Sequence, residues 1–313
     1  MDALDFRILG LLLRNARLSY ERMAVELGVP EGVIINRIFQ MWDAGVISEY
    51  RTRVSPQLFG CRPAIVLAEA YRSYCKQKDI RALRTVDRIT QIVETTSKIY
   101  SAYVLYKDDL ELKDTVDLIR AKVSPSRVTS VLYPHEAVPS VQLTGQDWKI
   151  VEYLMDDPRA AEDKMARDLG VPERSLKRRM DKLLVGGAIS HTIVIQPGMF
   201  QGMTSNRLYI LFKNGDEHAR KAIVDSVEHD RRAIVDGIEN KWNMLRLDAP
   251  DGAVIDVYGK TRKDIYDDLT NLKSHEVVKE TFYTLPSRIV SNDLLVRRKV
   301  IEAVFSTDSL RGL

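Results

Sequence analysis

Between Pro172 and Gly186 the chain carries Arg174, Ser175, Lys177, Arg178, Arg179 and Lys182, interrupted at helical spacing by Leu176, Met180 and Leu183. An apolar set at i, i+4, i+7 turns one helix face inward and leaves the cations and a hydroxyl on the other. Guanidinium and ammonium groups gathered on one rod bind polyanions. Arginine forks match phosphate and guanine edges, and lysine supplies a point charge. A basic run taken alone is most often a solvated helix surface, so the surrounding elements decide.

Little else has the spacing of chemistry. The five histidines, His135, His191, His218, His229 and His275, share no interval that would build a zinc site. Asp108-Asp109 with Glu111, and Asp267-Asp268, are carboxylate pairs beside or on amphipathic stretches, where solvated charge is the ordinary explanation. The chain has no glycine-rich dinucleotide loop, phosphate-loop lysine or nucleophile elbow. No catalytic residue, metal or cofactor is expected.

The element that positions the cations occurs twice. Leu169-Gly170-Val171-Pro172-Glu173 repeats Leu27-Gly28-Val29-Pro30-Glu31 letter for letter, 142 positions later. The register holds without a gap: Asp5 with Asp147, Arg17 with Arg159, Arg37 with Arg179, Gly45 with Gly187 and Gly60 with Gly202. The chain therefore contains an internal duplication. In the first copy Ile8, Leu9, Leu12 and Leu13 line one helix. Ser19 begins a second, and Gly28 supplies the left-handed residue that ends it. Pro30 opens a third, which buries Ile34, Ile38 and Met41. Residues 46–54 then alternate as a short hairpin wing. Three helices with a tight glycine turn, then a wing, describe a winged helix-turn-helix, whose third helix enters a major groove. In the first copy that helix offers Asn36 and Gln40 for adenine edges and Arg37 for a phosphate or guanine, while Ile35 and Phe39 look like packing.

The string from Leu4 to Tyr50 resembles the amino-terminal domain of the Lrp/AsnC (feast/famine) transcriptional regulators. The matching features are Leu4-Asp5 before Ile8-Leu9, Asn15-Ala16-Arg17, Ala24 with Leu27-Gly28-Val29, Arg37-Ile38, and Gly45-Val46-Ile47 leading to Tyr50. The second copy follows less closely, with Asp157-Pro158-Arg159 and Gly187-Ala188-Ile189. The resemblance implies a ferredoxin-like βαββαβ unit after each head, one that oligomerises and often binds an amino acid. Strands at 63–71, 89–106 (two) and 127–133, with helices at 78–88 and 110–122, fit the first unit. Strands at 207–212, 233–239, 254–258 (with 243–247 beside it) and 277–285, with helices at 216–227 and 262–272, fit the second. The expected fold class is α+β, with winged helix-turn-helix domains at 1–55 and 143–198, ferredoxin-like domains at 61–136 and 204–286, and a tail at 287–313. The family's effector pocket lies near a Gly-Asp-Tyr-Asp-like run on the third strand. The first copy has Ser101-Ala102-Tyr103-Val104 there, and the second keeps Gly252 and a displaced acid, Asp256. Those two are the effector-binding candidates, with loop and edge-strand duty as the plain alternative.

Composition narrows the partners. A net charge of +3 over 313 residues requires any nucleic-acid footprint to be local. Cys61 and Cys75 are too few for a disulfide framework and read as reduced core thiols. With no long apolar run and no signal peptide, a soluble, cytoplasmic protein is expected, without a membrane partner. Val296, Val300 and Ile301, with Arg297, Arg298 and Lys299 between them, suggest an amphipathic tail helix that docks on the body. The expected function is sequence-specific binding of double-stranded DNA as a homodimer, with the second head the stronger reader. Two alternatives share the architecture: an enzyme resembling the siroheme decarboxylases, and a scaffold whose heads only contact protein.

Overall fold

The computed structural model describes residues 1–70, 76–123, 127–132, 138–202, 204–213, 218, 222, 241–249, 252–259, 270 and 272–309. The chain opens with α1 (Ala3–Arg14), α2 (Tyr20–Leu27), α3 (Glu31–Asp43) and β1 (Ile47–Val54). It continues with β2 (Arg62–Glu69), α4 (Lys76–Leu83), β3 (Ile89–Thr95), β4 (Ile99–Tyr106), α5 (Asp109–Lys122) and β5 (Arg127–Leu132). A second three-helix head follows, α6 (Gly145–Asp156), α7 (Glu162–Asp168) and α8 (Glu173–Val185), with β6 (Ile189–Ile195). Then come β7 (Thr204–Phe212), β8 (Lys241–Ala249), β9 (Gly252–Gly259), β10 (Val278–Thr284), β11 (Pro286–Ser291) and the tail helix α9 (Leu294–Ser309).

Each head closes over its own apolar seam. Ile8, Leu9, Leu12, Met23, Ile34, Ile38 and Met41 are buried together in the first, and Ile150, Val151, Leu154, Met165, Leu176, Met180 and Leu183 in the second. Gly28 at φ +68° and Gly170 at φ +64° make the repeated turn between second and third helices. A side chain would be strained at either.

The stretch read as a hairpin wing is a single strand. Residues 47–54 hold no glycine, proline or asparagine to turn the chain. Strand β1 instead pairs antiparallel with β6 of the second head, Thr52 opposite His191 and Val54 opposite Ile189. The two heads are thus sewn into one body.

Two antiparallel sheets form the rest. The first runs β5-β2-β4-β3 with β11 added at the β3 edge, and the second runs β10-β7-β9-β8. The expected strand at 233–239 and most of the helices expected at 216–227 and 262–272 lie outside the described residues; Lys241–Ala249 is the edge strand. Both faces of the central strands are buried, in alternation. Ala64, Val66 and Ala68 pack beneath Ile80 and Leu83 of α4 and Val116 and Ile119 of α5. Ile65, Leu67 and Leu132 face Tyr209, Leu211 and Val254 of the other sheet. The sheets approach closely at Gly252, where a Cβ would stand 2.6 Å from the Ile210 carbonyl oxygen and 2.8 Å from Leu132 Cδ2.

The tail begins with strand β11, ahead of the helix expected around residues 296–301. Helix α9 then lays Val300 and Val304 into the second head's core, and its Arg297 bonds Asp156 at 2.5 Å and the Met155 carbonyl at 2.9 Å. Among the described residues no helix is long and apolar enough to cross a membrane.

Candidate nucleic-acid interface

Helix α8 is anchored by Leu176, Met180 and Leu183, at most 3% exposed. Its remaining face then has to point outward. Arg174, Lys177, Arg178 and Lys182 are exposed and Ser175 half-buried. Pro172, Arg174, Ser175, Lys177, Arg178 and Asp181 line one shallow depression. Among the described residues no carboxylate pairs with Arg174, Lys177 or Arg178, so their charge stays available to an incoming anion. Lys182 is partly engaged, bonding the Gln142 carbonyl at 2.8 Å and standing 3.5 Å from Asp147.

Two of the expected contact residues are committed to the protein itself. Arg179 bonds Asp147 at 2.7 Å and Thr144 Oγ1 at 3.2 Å. Its counterpart Arg37 stands 2.8 Å from Asp2 and 3.2 Å from Asp5. In both heads these acceptors form the capping box that starts the first helix. The arginine therefore clamps third helix to first in each repeat, on two carboxylates in the first and on a carboxylate and a hydroxyl in the second. Burial pushes the Asp147 carboxyl up, but the Thr144 N–H and the Arg179 guanidinium outweigh it and hold the group below its ordinary value. Arg37 is raised, chiefly by Asp5. On α3 Asn36 and Gln40 are exposed, and so are Ile35 and Phe39, which do not pack inward as expected; Glu31, Gly32, Trp42 and Asp43 are exposed at its two ends.

The relative placement of α3 and α8 is set by contacts that cross between heads. Arg17 donates to the carbonyls of Pro158 at 2.9 Å and Ala160 at 2.8 Å. Arg159 lies over the rings of Tyr20 and Tyr50, 5.0 and 4.8 Å from their centroids. Beneath them His191, 2% exposed, meets Thr52 Oγ1 at 3.0 Å through Nδ1. Burial, reinforced by the Arg17 charge, pushes its imidazole down to about 4.

The effector candidates sit inside the packed join between the sheets. Asp256 receives a two-pronged bond from Arg207, 2.6 Å from Nε and 2.7 Å from Nη2, and Arg207 also donates to Tyr103 Oη at 3.2 Å. Arg207 is 1% exposed, and burial pushes the Tyr103 phenol up to about 12. With Asp256 taken and Gly252 pressed against Ile210 and Leu132, neither presents an open binding surface. Sequence reasoning does not find Arg207, and it meets Tyr103 only within the effector-strand run and His191 only as one of five unclustered histidines. Cys61 is a free, buried thiol, and Cys75 lies outside the described residues.

Comparison with known proteins bears on this geometry at both scales. Residues 1–41 match the AsnC-type helix-turn-helix domain. The chain is 34% identical over 108 residues to the regulatory protein AsnC of Escherichia coli K12, covering 33% of this chain and 68% of that protein. It is 25% identical over 111 residues to the HTH-type transcriptional regulator Ptr1 of Methanocaldococcus jannaschii, covering 36% of this chain and 75% of the relative. The crystal structure of the siroheme decarboxylase NirDL superposes with a TM-score of 0.53 at 14% identity, over 98% of this chain and all of that one, which is a likeness of fold. With its helix-turn-helix match and its identity across two thirds of AsnC, this chain belongs to the Lrp/AsnC family.

Proposed function

We propose that the chain is two Lrp/AsnC-type units fused in tandem, each a helix-turn-helix head with one following strand and then a ferredoxin-like βαββαβ domain, and that it binds double-stranded DNA as a transcriptional regulator. The second head is the stronger reader. The observation carrying this is the outer face of α8, where Arg174, Lys177 and Arg178 are exposed without an acidic partner among the described residues. Because the two third helices differ, a single chain presents two unlike readers to an asymmetric operator. A homodimer would bring two second heads to a palindrome.

The test is a gel shift on the protein's own promoter DNA across a salt series. Saturable binding with a steep salt dependence is expected. Reversing both Arg174 and Arg178 to glutamate should weaken binding by at least about tenfold, at about 1–3 kcal/mol per base-contacting cation. Unchanged binding by the folded double variant sinks the assignment.

One observation favours a second reading, a siroheme-decarboxylase-like enzyme: the fold match to NirDL spans the whole chain. Titration of the protein with siroheme, followed by absorption spectroscopy, separates the two. A saturable spectral shift in a protein that ignores DNA moves the assignment to the enzyme.

A further inference from the structure

Five outward positions of the third helix differ in kind between the repeats. Arg174, Lys177, Arg178, Asp181 and Lys182 of α8 stand where α3 has Gly32, Ile35, Asn36, Phe39 and Gln40. Ile35 is 45% and Phe39 67% exposed, while Ile34, Ile38 and Met41 complete the core without them. The ionised groups of α3 are Glu31, Arg37 and Asp43, and the one cation is held by Asp2 and Asp5. A face with two carboxamides, two apolar groups and no free cation is poorly made for guanine, whose major-groove edge offers only acceptors. It suits an A·T pair, where adenine offers an acceptor beside a donor and thymine a methyl group.

We propose that the first head reads A·T pairs, Ile35 and Phe39 against thymine methyls and Asn36 and Gln40 on adenine edges. This rests on the DNA-binding reading above. The operator is then two-part, an A·T half-site under the first head and a guanine-bearing half-site under the second. Helix α3 itself then contributes base contacts with almost no phosphate attraction.

The experiment selects the preferred operator from random duplexes with the full-length protein, then replaces each thymine in turn by deoxyuridine, removing only the methyl. Affinity should fall about fourfold per contacted methyl, the equivalent of about 0.8 kcal/mol for one buried carbon, and in one half-site only. Phe39→Ala should abolish that sensitivity at the thymine under Phe39 and leave the one under Ile35, with no change in the salt slope. Phe39 is exposed, so the variant should fold, and circular dichroism checks this. Equal affinity for thymine and deoxyuridine duplexes overturns the inference while leaving DNA binding intact. If Phe39→Ala then alters the protein's oligomeric state, the face is a protein interface. Failure of wild-type protein to bind any duplex at low salt removes the DNA-binding reading and this inference with it.

Discussion

Arg17 and Arg159 occupy the same position of the two repeats, and each leaves its own head to hold the other. Arg17 satisfies two carbonyls in the turn after α6, and Arg159 covers the rings of Tyr20 and Tyr50. The duplication has become a pair of reciprocal clasps, with different chemistry at the same address. Removing Arg17 by alanine leaves two partly buried carbonyls without donors, at about 1–3 kcal/mol each. Arg159→Ala gives up ring contacts of about 1 kcal/mol each. Arg17→Ala should therefore be the more destabilising, with Arg17→Lys only partly restorative because one ammonium cannot reproduce the fork. Denaturant titration of the three variants measures this; equal losses for Arg17→Ala and Arg159→Ala would contradict it.

His191 makes the join between heads sensitive to acid. Its folded-state value is depressed from 6.5 to about 4. Above pH 6.5 both folded and unfolded chains carry it neutral, and its stabilising contribution is complete. As pH falls through that window the unfolded chain binds a proton that the folded chain refuses, and stability drops by about 3 kcal/mol in all. Urea midpoints at about pH 7.5 and about pH 4.5, on either side of most of that titration, should differ more for wild type than for His191→Val. Parallel pH profiles for the two proteins would exclude His191 as the source.

Arg207 and Asp256 stand directly opposite on β7 and β9, facing the other sheet. Arg207→Met strands a buried carboxylate and should cost about 3–5 kcal/mol. The double variant Arg207→Met with Asp256→Leu removes both charges and should recover most of that loss. A thermodynamic cycle over the four proteins reports the coupling directly. If the double variant is as unstable as the single one, shape complementarity rather than charge holds the sheets there.

The 142-residue register and the apolar seam of each helix make the two heads and their turns legible in the sequence itself. Pairing across distance is not legible there. Residues 46–54 alternate as a wing strand should, but alternation does not name a partner, and the partner is β6. Residues 287–291 read only as part of an undivided tail, because whether this stretch becomes a strand depends on the open edge of β3. Arg207 stands 49 residues from Asp256 and 104 from Tyr103, so no local pattern could join them. The clamp on the capping box does leave a trace. Asp5 and Arg37 recur together as Asp147 and Arg179, and a duplicated opposite-charge pair is the signature of an internal ion pair rather than of two DNA contacts.

That distinction sets the last prediction. Lys177 and Arg179 are both cations of α8, but Lys177 is exposed and Arg179 is tied to Asp147. Lys177→Ala should leave stability within about 0.5 kcal/mol of wild type and lower the slope of log affinity against log salt by about one. Arg179→Ala should do the reverse: the buried Asp147 loses its main partner, stability falls by about 2 kcal/mol, and the slope holds once binding is measured below the melting transition. Arg37→Ala should follow Arg179→Ala, since the buried Asp5 takes the place of Asp147 beneath it. Denaturation curves and salt-dependent binding on the same three variants check both halves. A shallower salt slope for Arg179→Ala with unchanged stability would mean that the clamp opens on DNA and hands its arginine to a phosphate.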